Sequence, residues 1–265
     1  MTTYTGPVRR RRYGRGHRYE DANGLKVPGV TTILSDGIPK PALVNWAANT
    51  TANAAIDRWD ELSELPPSKR LSALQKARYA DRDAAANRGT EVHDLAQRYL
   101  QGAHIDIPDS VAGHVESYIA FVDDWTPTPV LVETVVVSHT HGYAGTLDAI
   151  VDLPGHGRAL LDIKTSRSGI FGETALQLAA YRYADTYLDT DDTEQPMPAV
   201  DAVFGLHLRS DGYSLLPITA GPDEHRTFLY AQQIAHFTTT TAKQLVGDPL
   251  TPARDTRRRR LEHAP

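Results

Sequence analysis

Asp162 and Lys164 stand one residue apart in the run LLDIKTS, residues 160–166. Side chains of a β-strand alternate faces, so the acid and the lysine share one face while Leu161 and Ile163 take the other. Charges in so apolar a strand cost desolvation energy unless they are paired or bind something. A second acid, Asp148, lies one short turn upstream in GTLDAIVDL, on a strand face with Thr146 and Ile150. If the two strands pair as a hairpin, the two carboxylates approach each other. Two such groups repel and resist ionising. A divalent cation removes that conflict, and Mg²⁺ uses one or two carboxylates while keeping waters and taking substrate phosphate. Lys164 is then placed to orient or deprotonate an attacking water, or to offset charge building on phosphorus oxygens.

Other candidates are weaker taken singly. His93, in RGTEVH, sits beside the apolar stripe Val92, Leu95, Ala96 and Tyr99, where a lone histidine is more often structural. Gln177 and Tyr181 are one helical turn apart and share a face. Glu133 stands at the centre of VLVETVVV, near the site or on the solvent face of an edge strand. His139 and His141 form an H-x-H pair in an expected hairpin turn, and turn chemistry is the better reading. Gly155-His156-Gly157 lacks a following helix and reads as a turn.

The elements that must position these residues come in an α/β order. Residues 1–27 read as a basic arm and a hairpin, with the turn signal Asn23-Gly24. Residues 28–86 read as a helical N-terminal part, opened by a brief β-like segment, GVTTIL. Residues 87–220 form the core: a helix through RGTEVH, a helix over 110–125, and a meander of three strands carrying Glu133, Asp148 and Asp162. A helix over 173–188 and two strands around Ser210-Asp211-Gly212 complete it. A last helix falls within 221–250, and 251–265 is a basic tail. This order fits one domain with a mixed central β-sheet flanked by helices and a helical N-terminal elaboration.

The chain has 265 residues and a formal net charge of -5. Its positive charge is clustered all the same. Arg9, Arg10, Arg11 and Arg12 form one run; Arg257, Arg258, Arg259 and Arg260 form another. Each is a solvated tail or a flexible arm that contacts phosphate. No apolar run is long enough to span a bilayer, so no membrane partner is expected. The first twenty residues have no apolar core after their arginines, unlike a secretory signal. Cysteine is absent. That excludes disulfides, a cysteine nucleophile, thiolate zinc sites and iron–sulfur clusters, and fits a reducing cytoplasm.

Taken in order, these segments resemble the PD-(D/E)XK nuclease superfamily, within it the RecB-like and phage-type exonucleases. RGTEVH resembles the histidine motif, GTLD the motif supplying the first acid, DIK with Thr165 the acid-x-lysine core, and QLAAY the Gln-x-x-x-Tyr motif. GVTTIL and the following segment with Trp46 resemble the N-terminal part of the phage-type members. The resemblance covers roughly residues 28–190 and implies a restriction-endonuclease-like core. It implies that Asp148 and Asp162 bind Mg²⁺ or Mn²⁺, with the Ile163 carbonyl and His93 as further ligands. Lys164 would be the catalytic lysine, supported by Gln177 and Tyr181. Relatives often carry an acid where Glu133 stands. Many RecB-like relatives hold an iron–sulfur cluster; this chain has no cysteine for one. The implied activity is metal-dependent hydrolysis of DNA, from an end, in recombination, repair or phage DNA metabolism. A bacterial or phage-infected cytoplasm is the implied setting, with a homo-oligomer or a recombination or repair protein as possible partners. The alternatives are a catalytically silent DNA-end or protein-binding module on this fold, and a sequence-specific endonuclease.

Overall fold

The structure, a computed structural model, describes residues 4–14 and 16–250. Arg257 to Arg260, expected to reach DNA, lie outside the described residues.

The N-terminal segment is a small antiparallel sheet. Its strands are β1 (Arg9–Tyr13), β2 (Gly16–Glu20) and β3 (Lys26–Val27). The expected turn joins β2 to β3: Gly24 takes φ +78°, and the Asp21 carboxylate accepts the N–H groups of Asn23 and Leu25. Arg9–Arg12 correct the expectation of a flexible arm, because they form β1 and pair residue by residue with β2. Charge alone marks the run RRRRY in the sequence, and cross-strand pairing supplies the order.

Helices α1 (Val30–Gly37), α2 (Pro41–Asp57), α3 (Trp59–Ser63) and α4 (Pro67–Leu100) follow. The β-like reading of GVTTIL is overturned here. Val30, Ile33, Leu34 and Gly37 are all buried at helical spacing, and that packing outweighs the strand preference of β-branched residues. Gly37 admits no side chain, since a Cβ would collide with the backbone of Ala231. The expected boundary at residues 86 and 87 falls inside α4, which runs unbroken into RGTEVH.

Helix α5 (Ala112–Trp125) leads into the meander: β4 (Thr128–Ser138), β5 (Tyr143–Leu153) and β6 (Gly157–Lys164). Helix α6 (Glu173–Arg182) stops six residues short of the expected end. Thr186–Leu188 instead form β7, because β4 offers free backbone groups there and Val136 and Val137 pair with Tyr187 and Thr186. The short β8 (Glu194–Pro196) pairs with β7. Strands β9 (Ala202–Arg209) and β10 (Gly212–Pro217) and helix α7 (Pro222–Thr239) complete the chain. The last helix ends where a threonine run begins. The hydroxyls of Thr238 and Thr239 bond back to the carbonyl of Ala235, and one 3₁₀ turn follows.

The large sheet has seven strands in the order β10-β9-β6-β5-β4-β7-β8. Only β6 and β9 run parallel, joined across α6 and the β7–β8 pair. Helices cover both faces. Ile33, Leu34, Leu178 and Phe228 pack on Leu147, Ile150 and Leu160 from one side. Val92, Leu95, Tyr118 and Phe121 pack on Val151, Leu161, Leu206 and Leu208 from the other. No helix among the described residues is long and apolar enough to cross a membrane.

Candidate active site

The site lies where β5 and β6 part. Their ladder runs from Leu153↔Gly157 to Ala149↔Leu161 and stops there. One residue further, the Asp148 carboxylate takes the place of a ladder partner: its Oδ2 accepts the Ile163 N–H at 2.6 Å. That bond holds the carboxylate between the strands and leaves Oδ1 facing α4.

His93 meets it from there. Burial of Val92, Leu95 and Ala96 seats α4 on the sheet, and His93, beside that stripe, reaches inward. Its Nδ1 lies 3.6 Å from Asp148 Oδ1 and 4.0 Å from Glu133 Oε1. Glu133 stands opposite Asp148, between the pairs Val132↔Ala149 and Thr134↔Leu147. It is not solvent-facing, the other reading its sequence left open: its side chain is 23% exposed. Its φ of +47° is rare for a non-glycine residue and costs about 1–3 kcal/mol. One ligand atom from each of His93, Glu133 and Asp148 lies within 4.8 Å of the others, a spacing that one cation can bridge.

Asp162 lies outside that compact group but beside it, 1% exposed. Its Oδ1 accepts from Gln177 Nε2 at 3.0 Å. Lys164 Nζ pairs with its Oδ2 at 2.6 Å. Imidazole plus carboxylates is a fitting donor set for Mg²⁺ or Mn²⁺. The one-turn spacing on α6 brings Gln177 Nε2 to 3.3 Å from Tyr181 Oη. Tyr181 is fixed in turn by Gly145, where a Cβ would run into its ring. Ile163, expected to offer its carbonyl, donates its N–H to Asp148.

The electrostatics follow from burial and proximity. Burial alone would depress the His93 imidazole, but the Asp148 charge and hydrogen bond override it and raise His93 to about 9. Burial pushes Asp148 up, and His93, Lys164 and the Ile163 N–H more than offset it, leaving Asp148 below the ordinary carboxylate range. For Asp162 burial wins over the pull of Lys164, and its carboxyl rises to about 6. Lys164 is raised: burial opposes its charge, but Asp162 and Asp148 prevail. It is therefore an ammonium at neutral pH. Burial also raises Glu133, with the Asp148 charge pushing the same way.

Three contacts beside the site escaped the sequence reading. Arg10 of β1 reaches Glu133 Oε2 at 3.5 Å. Tyr19 Oη and Thr146 Oγ1 share a 2.8 Å hydrogen bond two residues before Asp148. Lys40 and Glu173 pair at 3.0 Å beside a cavity of about 220 Å³ that Lys164 and Gln177 help to line. No local motif joins the partners of these contacts. His139 and His141 fall in the β4–β5 turn as expected; His139 bonds Glu194 at 2.8 Å, outside the group.

No model of a known protein family matches the chain, and no curated protein matches it.

Proposed function

We propose that this chain is a metal-dependent DNA nuclease of PD-(D/E)XK type, hydrolysing phosphodiester bonds as an exonuclease on a restriction-endonuclease-like core. The observation that carries the proposal is the convergence of His93, Asp148, Asp162 and Lys164 at one parting of strands. The strand meander, the α6 crossover and β9 parallel to β6 support the core assignment. Action from an end, and work in recombination, repair or phage DNA metabolism, rest on the motif resemblance.

His93, Glu133, Asp148, Asp162 and the Ile163 carbonyl would hold the cation. When bound, Mg²⁺ or Mn²⁺ supplies a more acidic water and neutralises phosphate charge. The chain's own residues do the rest. The Lys164 ammonium, 2.6 Å from Asp162, offers positive charge to the phosphate oxygens as negative charge grows on them. Gln177 holds Asp162 in place by its amide and so keeps the acid–lysine geometry. Tyr181, buried against Gly145, anchors Gln177.

End-labelled linear, circular and single-stranded DNA incubated with Mg²⁺, Mn²⁺ or EDTA tests the reading. Loss of end-label from linear DNA with either metal, none in EDTA and none in Asp162→Asn is expected. Binding without cleavage in every metal would instead establish a silent module. Cutting of circular DNA at fixed positions would establish an endonuclease.

A further inference from the structure

The β1–β2 hairpin has two unlike faces. Val8, Arg10 and Arg12 alternate onto one of them, with their cross-strand neighbours Tyr19 (of Arg10) and His17 (of Arg12). This face turns toward the catalytic sheet. Val8 and Tyr19 bury against Val137 and Ala144. Tyr19 Oη is bonded to Thr146 Oγ1 at 2.8 Å, and His17 Nε2 stands 3.2 Å from Tyr19 Oη. Arg10 reaches over Glu133 at 3.5 Å. Arg9 and Arg11 lie on the opposite face, with Tyr13 and Arg18. There Arg9 pairs with Asp192 at 2.9 Å, and the Arg18 guanidinium lies 4.5 Å over the Tyr13 ring. Strand alternation thus splits four consecutive arginines between the two faces, Arg10 and Arg12 on one and Arg9 and Arg11 on the other.

Resting on the nuclease reading above, we infer that the inner face of this hairpin seats the DNA backbone beside the reacting phosphodiester, with Arg10 and Arg12 as its two cationic contacts. Arg10 is a positioning residue that passes from Glu133 to a phosphate. The Arg10–Glu133 pair is suited to this exchange. It is long, and the Arg10 side chain is 42% exposed, so the guanidinium swings away from Glu133 at little cost. A phosphate offers the guanidinium a two-pronged partner in its place. Glu133 is then released toward His93 and Asp148, the partners with which it would hold the cation. Arg12, exposed and two residues along the strand, lies about 6.6 Å beyond Arg10 on the same face and continues the track. Burial and the Arg10 charge keep the His17 imidazole below its ordinary range, so Arg10 and Arg12 are the only two charges this face contributes among β1 and β2.

The experiment measures binding of a labelled duplex by fluorescence anisotropy across a NaCl series, with Ca²⁺ in place of Mg²⁺. The parent is compared with Arg10→Ala, Arg12→Ala and Arg11→Ala. Removing one guanidinium from a phosphate should flatten the slope of log affinity against log salt by about 0.9. The inference expects that change in Arg10→Ala and Arg12→Ala, and the parent's slope in Arg11→Ala. Arg12 touches nothing in the site, so its variant reports on DNA even if removing Arg10 disturbs Glu133. Equal changes in Arg11→Ala and Arg12→Ala, or none in Arg12→Ala, would overturn it. If the parent still cleaves DNA in that case, the nuclease reading stands and only the hairpin assignment falls. A parent that neither binds nor cleaves DNA removes both.

Discussion

Cation binding at this site should be a proton exchange, and His93 sets its size. A metal takes the neutral imidazole, so the proton on His93 must leave first. With His93 raised to about 9, roughly 99% of the metal-free molecules carry that proton at pH 7. Asp162, raised to about 6, holds a proton in roughly a tenth of them. Binding of Mn²⁺ at pH 7 should therefore release about one proton. The sign follows: the metal-free form is the protonated one, so raising the pH favours binding. Apparent affinity should climb about tenfold per pH unit between 7 and 9 and level off above. Isothermal titration of Mn²⁺ in buffers of different ionisation enthalpy reads the proton directly, as the slope of observed enthalpy against buffer enthalpy. A slope near minus one, for one proton passed to the buffer, is expected for the parent. His93→Ala should bring it close to zero, bind Mn²⁺ more weakly at pH 9, and show an affinity nearly flat between pH 7 and 9. A parent whose enthalpy ignores the buffer, or whose affinity is flat over that range, would refute the placement of His93 among the ligands.

Lys164→Ala should slow single-turnover cleavage by about 10²–10³-fold, the scale of losing one charge stabiliser, while Mn²⁺ affinity measured in parallel survives or rises. Lys164→Arg should rescue little, because a planar guanidinium cannot take the compact place beside Asp162. Gly145→Ala should destabilise the fold by about 1–3 kcal/mol in urea denaturation, since its Cβ meets the Tyr181 ring; the same substitution should cost much less in a Tyr181→Ala background.

Much of the site could be read from local periodicity. Strand alternation puts Asp162 and Lys164 on one face, and they do pair. The helical turn puts Gln177 beside Tyr181, and their side chains do meet. Asn23-Gly24 is a turn because Gly24 accepts a positive φ at no steric cost. Periodicity failed where a segment's own preference was weak against its surroundings. GVTTIL has the composition of a strand, but burial of Val30, Ile33 and Leu34 against α6 and α7 makes it a helix. Thr186–Leu188 continues a helical pattern, but the free edge of β4 draws it into the sheet.

The sequence by itself determined which residues share a face of one element, because the periods of strand and helix are properties of the backbone. It could not determine which faces meet. His93 and Asp148 are 55 positions apart and Arg10 and Glu133 are 123 apart, and no local rule joins either pair. The tertiary structure decides them through register and parting. Pairing of β4 with β5 sets Glu133 against Asp148, and the ladder between β5 and β6 ends where Asp148 takes the Ile163 N–H. A one-residue slip of either strand would turn these acids to the opposite face. The packing that forbids such a slip, Leu147, Ile150 and Leu160 on one face and Val151 and Leu161 on the other, involves the whole sheet and both helix layers.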